Sequence, residues 1–176
     1  MKRSPDPILL LLLAVSLGTN VFLYRHRTPV HASQPLRVGQ QVPEFVATSL
    51  DGRLDRLRFD KPVVLYVFSP SCVWCERNLD NAKQLAMDVT GKYEFVAIAS
   101  DTNELREYVE RKHLAWRIFT NLPQNIRRAY GIAGTPQTIV VGAGGKVLHV
   151  WPGAYRGNTA DEIERTFGIK LPGLKG

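Results

Sequence analysis

Cys72 and Cys75 are the only two cysteines of the chain, and they stand two residues apart in SPSCVWCERN, directly after the apolar run PVVLYVF. A pair at this spacing on the first turn of a helix can close a small disulfide ring, and a helix N-terminus favours negative charge on the first sulfur. Cys72 at that edge would then attack a substrate disulfide, and Cys75, one turn in and shielded, would resolve the mixed disulfide. Two other readings compete. Half of a metal site is disfavoured by ligand count: a closed zinc site needs four ligands, and His26, His31, His113 and His149 are scattered along the sequence. A structural staple normally joins distant segments, whereas a ring this small restrains almost nothing.

The elements that must position the pair alternate between apolar runs and helical patterns, which predicts an α/β domain. Pro62–Phe68 is continuous enough for a buried central strand. From about Cys72 a helix is expected, because Cys75, Leu79, Ala82, Ala86 and Val89 recur at three- and four-residue steps up to Gly91. A second strand follows at about Glu94–Ser100. Asp101 with Glu104 suggests a cap for a helix carrying Leu105, Tyr108 and Val109. Trp116–Thr120 is a short extended piece, and Pro123 opens a short helix with Ile126, Ala129 and Tyr130, ended by Gly131. Gln137–Val141 and Lys146–Trp151 are joined by Gly142-Ala143-Gly144-Gly145, a hairpin signal. An amphipathic helix at about Thr159–Phe167 ends the pattern. Upstream, residues 43 to 62 hold two short β stretches around Asp51-Gly52.

Two motifs taken together resemble a known family. VVLYVFSPSCVWCERNL, followed far downstream by YGIAGTPQTIVVGAGGKVL, is similar to thioredoxin-fold proteins of the membrane-anchored TlpA/ResA type, over about residues 38 to 170. The resemblance implies a thioredoxin-like fold with an N-terminal β-hairpin extension and a cis Thr135–Pro136 bond facing the cysteines. Thr135, Pro136 and Trp74 would contact substrate, with simple loop packing as the alternative for Trp74. It also implies a thiol–disulfide oxidoreductase acting on protein disulfides or dithiols without a cofactor, fed by a membrane thiol reductase. A role in cytochrome c maturation belongs to the same expectation. The sequence departs from the family pattern at three places. Tyr66 stands where thioredoxins carry a buried acid, Asn78 where ResA-like proteins carry a glutamate, and Val73-Trp74 lacks the proline or glycine of many members. Glu76 is the remaining acid that could take the proton of Cys75 if its side chain turns inward. A Cu(I) metallochaperone, a peroxidase-like redoxin and a non-catalytic binding module remain the rival functions.

The ends of the domain follow from composition. Ile8–Tyr24 is uncharged and mostly apolar, close to the ~20 residues a membrane-crossing helix needs. Residues 1–27 are therefore expected to be an anchor or signal, 28–41 a tether, and 42–172 the thioredoxin-like domain. Val30-His31-Ala32 resembles a cleavage site, but Arg25 and Arg27 intervene between it and the apolar core, which favours an uncleaved single-pass anchor. A lone cysteine pair suits an oxidising compartment, so the domain is expected outside the cytoplasm, periplasmic or at the cell surface. Of the formal charge of +7, residues 1 to 32 hold four Lys/Arg and one Asp. The remaining basic residues are scattered, which gives no patch for nucleic acid.

Overall fold

The computed structural model describes residues 6–25 and 35–176, and the chain divides into two compact units, Met1–Ala32 and Ser33–Gly176. The cleavage-like Val30-His31-Ala32, His26 and the tether residues 28–34 lie outside the described residues.

In the first unit, helix α1 spans Pro7–Arg25, with the Asp6 carboxylate accepting a hydrogen bond from the Ile8 amide at its start. Its described side chains are all exposed and it has no polar face. Thr19 and Asn20 return their side-chain donors to the carbonyls of Val15 and Ser16. Among the described residues no helix is long and apolar enough to cross a membrane. At 1.5 Å per residue, the 19 residues of α1 reach roughly 28 Å, just under a hydrocarbon core about 30 Å thick.

The second unit is built on a seven-stranded mixed sheet in the order β2-β1-β5-β4-β3-β6-β7. The strands are β1 Phe45–Ser49, β2 Leu54–Leu57, β3 Val63–Phe68, β4 Glu94–Ala99, β5 Arg117–Thr120, β6 Gln137–Val141 and β7 Val147–Pro152. β3, β4 and β5 run parallel; the other pairings are antiparallel. All six residues of β3 are buried because the sheet is covered on both faces. Side chains alternate along a strand. Val63, Leu65 and Val67 accordingly join Phe45, Leu57, Ile126 and Tyr130 on one face, while Val64, Tyr66 and Phe68 join Cys75, Leu79, Leu85, Tyr108 and Ile163 on the other.

Four expected features differ. The helix after Cys72 is two helices, α2 Val73–Arg77 and α3 Leu79–Asp88, separated by a turn at Asn78 with φ −90° and ψ 0°. The Asn78 side chain is drawn into the core by three hydrogen bonds, described below. The capping pair Asp101–Glu104 does not form, since Asp101 accepts from the Asn103 amide and Glu104 takes a left-handed φ of 53° before α4 Leu105–Arg111. The extended piece at residues 116–120 is a true sheet strand, paired with β4 and β1. Residues 35–41, expected as tether, pack on the domain: Leu36 is buried, the Gly39 amide donates to the Val147 carbonyl, and the Val147 amide donates to Gln40. The short helix α5 Gln124–Ala129 and the last helix α6 Asn158–Phe167 match their patterns.

Candidate active site

The register between β3 and β6 brings the two motifs together. Val67 pairs with Gln137 in the antiparallel ladder, so Pro136 and Thr135 lie just past the C-terminal end of β3, where the chain turns into Ser69–Cys72. The Cys72 amide closes that turn on the Ser69 carbonyl at 3.2 Å. The Thr135–Pro136 bond is cis, and the Thr135 carbonyl oxygen lies 3.5 Å from Cys72 Sγ, which can donate to it as a thiol.

Cys72 is the N-cap of α2, with extended φ −84° and ψ 112°. Its Sγ accepts a hydrogen bond from the Cys75 amide at 3.1 Å, which satisfies an otherwise unpaired amide of the first helical turn. Both cysteines are free thiols, Cys72 half-buried and Cys75 only 1% exposed. Burial first, and the hydrogen bond and charge of Cys72 second, push the Cys75 thiol up to about 12. The two sulfurs thus differ in access, and burial one helix turn in raises Cys75.

Behind Cys75 lies a buried polar cluster without a carboxylate. Asn78 Oδ1 accepts from the Tyr155 amide at 2.9 Å and from Asn81 Nδ2 at 3.1 Å, and Asn78 Nδ2 donates to the Tyr66 hydroxyl at 3.4 Å. The Tyr155 hydroxyl and Thr138 Oγ1 share a hydrogen bond of 2.6 Å. Burial raises Tyr66 well above the usual phenol range, with the nearby Tyr155 and Cys75 adding to the rise. Glu76 does not turn toward Cys75: it pairs with Lys112 and accepts from the Tyr108 hydroxyl at 3.3 Å. Tyr108 is raised in turn, chiefly by burial and then by Glu76.

Trp74, Thr135 and Pro136 line one groove of about 340 Å³ with Pro152, Gly153, Ala154, Arg156 and Thr159. The five residues singled out from the sequence therefore converge on one place. Arg156, Tyr155 and Thr138 are not legible as site residues in the sequence, because only the pairing of β6 with β3 and the loop after β7 bring them beside the Cys72 helix. His149, one of the scattered histidines, is half-buried on β7 and stacks on Trp151 with ring centroids 4.9 Å apart.

Residues 38–150 match the AhpC/TSA family. The chain is 29% identical over 136 residues to the thiol-disulfide oxidoreductase ResA of Halalkalibacterium halodurans, covering 72% of this chain and 75% of that protein. Among solved structures, a thiol:disulfide interchange protein of the thioredoxin family from Chlorobium tepidum superposes with a TM-score of 0.60 at 21% identity, over 76% of this chain and 99% of that one. A secreted disulfide oxidoreductase of Mycobacterium tuberculosis homologous to DsbE gives 0.57 at 22% identity, over 71% and 96%. The thioredoxin-like architecture is thereby shown, and the match over most of the folded domain makes this chain a member of the AhpC/TSA family.

Proposed function

We propose that this chain is a thiol–disulfide oxidoreductase that reduces disulfides of exported proteins through Cys72 and Cys75. The observation that carries the reading is the asymmetry of the pair: Cys72 is half-buried with its Sγ 3.5 Å from the carbonyl of Thr135, a residue that lines the groove, and Cys75, one turn further into α2, is buried. The Cys72 thiolate attacks one sulfur of the substrate disulfide, the S–S bond breaks, and the leaving thiolate takes up a proton. Cys75, once deprotonated, attacks Cys72 Sγ and expels the second substrate thiol. Two electrons pass to the substrate and the chain is left with a Cys72–Cys75 disulfide. A dithiol reductant, here a membrane thiol reductase, must restore it. The ResA relatives support this reading, and cytochrome c maturation is its proposed setting.

The chain is further proposed to be anchored by α1 with the domain outside the cytoplasm. The apolar surface of α1 on all sides and the internal satisfaction of Thr19 and Asn20 support it. A shortfall of roughly 2 Å is within what local bilayer thinning and snorkelling flanks absorb. Family membership keeps one rival in view, a peroxidase in which Cys72 would be oxidised by peroxide to a sulfenic acid with release of water.

Mixing the reduced chain with a disulfide-bonded protein tests the reading. Two substrate thiols should appear for each chain disulfide formed. Turnover with hydrogen peroxide and none with protein disulfides would replace it with the peroxidase.

A further inference from the structure

Trp74 follows the first cysteine by two residues and is 42% exposed at the edge of the groove. Two guanidinium groups gather on its ring: the Cζ of Arg77, one turn further along α2, is 5.3 Å from the centroid, and that of Arg156, from the loop after β7, is 5.2 Å away. Neither arginine has an ion-pair partner among the described residues, although Arg53, Arg117, Lys112, Lys170 and Lys175 all do. No carboxylate lines the groove, and Glu76, the acid of α2, is occupied by Lys112 and Tyr108.

Two uncompensated positive charges on one indole repel each other, and an anion bound at either guanidinium lowers that repulsion. The ring also fixes the planar guanidinium forks, which suit a carboxylate. The same groove contains Thr135 and Pro136, and the Thr135 carbonyl is 3.5 Å from the Cys72 sulfur. A residue next to a substrate cysteine, at about 3.3 Å per residue of extended chain, reaches from that sulfur into this groove.

We propose that Arg77 and Arg156, held on Trp74, form an anion-selecting subsite, so that preferred substrates are disulfide proteins with an Asp or Glu beside the cysteine that Cys72 attacks. The proposal rests on the thiol–disulfide exchange reading above.

The test uses the reduced full chain and three disulfide peptides that differ only in a Glu, Gln or Lys beside the reacting cysteine. The rate ratio of the Glu to the Lys peptide should be about tenfold at low salt and should fall several-fold when ionic strength screens the site, as electrostatic steering does. Arg77→Gln and Arg156→Gln should each lower that ratio, and Arg156→Lys should keep it above the Gln variant. A purely structural role for either arginine would change all three rates together and leave the ratio in place. Equal rates for the Glu and Lys peptides, or a ratio that survives both Gln variants, would overturn the subsite while leaving exchange intact. No reaction with any of the three peptides would overturn both the subsite and the exchange reading.

Discussion

The carbonyl oxygen of Thr135 sits 3.5 Å from the sulfur of Cys72 although 63 residues separate them in sequence. The β3–β6 register sets this distance, since pairing Val67 with Gln137 leaves Pro136 and Thr135 at the strand end from which the Cys72 turn departs. A backbone oxygen at that position can accept from the thiol, and it can serve a substrate strand laid along the groove.

Access, and the raised thiol of Cys75, order the reactivity of the pair. Cys72 is half-buried, whereas Cys75 is 1% exposed with its thiol pushed up to about 12. At neutral pH only about one part in 10⁵ of such a thiol is ionised. Iodoacetamide on the reduced protein should label Cys72 at least about a hundredfold faster than Cys75, as read by peptide mass spectrometry. Faster labelling of Cys75 would reverse the assigned roles.

The same raised thiol should appear in stability. The folded value of about 12 lies above the ordinary 9.0, so folding holds this proton more tightly. The contribution is therefore fully present below about pH 9 and lost as pH rises toward 12, with a slope approaching about 1.4 kcal/mol per pH unit. Urea melts of the reduced protein from pH 8 to about pH 10 should show this fall, together with the loss that the buried tyrosines, raised from 10.0, begin to add as pH nears 10. Cys75→Ala should lower the slope and leave the part that the tyrosines contribute. An equal slope in the variant would show that Cys75 is not the group responsible.

Asn78 should matter more to the fold than an ordinary polar residue. It is fully buried and makes three hydrogen bonds, one of them from the Tyr155 amide. Asn78→Ala strands that amide and opens a cavity, at a cost of about 2–4 kcal/mol. Tyr66→Phe removes only the long 3.4 Å contact and should cost less than about 1.5 kcal/mol. Thermal and urea denaturation of the two variants decides between this order and its reverse.

Much of this was legible in the sequence because local pattern and tertiary demand agree. The apolar run of β3, the Gly-rich turn before β7 and the helix start at Cys72 are all legible, since a buried strand, a hairpin and a helix N-cap each leave a local signature. Asn78 was visible only as a departure from a family pattern. Its bond to Asn81, three residues on, follows helix spacing, but those to Tyr66 and Tyr155 span 12 and 77 residues and no spacing rule connects them. Glu76 was a candidate proton acceptor by adjacency alone; the pull of Lys112 and Tyr108 from α4 turns it away. The failed Asp101–Glu104 cap has the same origin as many such failures, a short-range Asx turn to Asn103 that outcompetes the cap.

Anchoring by α1 predicts that the full chain sediments with membranes and resists extraction by high salt. A thiol reagent that does not cross membranes should reach Cys72 from the outer side. A soluble mature chain beginning at Ser33 would contradict the anchor, and labelling only from the cytoplasmic side would contradict the orientation.

The division of labour between the cysteines is tested most directly by trapping. Cys75→Ala, mixed with a disulfide-bonded protein, should accumulate a one-to-one mixed disulfide through Cys72 that a small dithiol releases. Cys72→Ala should accumulate none under the same conditions, because Cys75 is only 1% exposed, one turn into α2, and burial, the largest cause of its raised thiol, remains in the variant. Equal trapping by the two variants, or trapping by Cys72→Ala alone, would contradict the account.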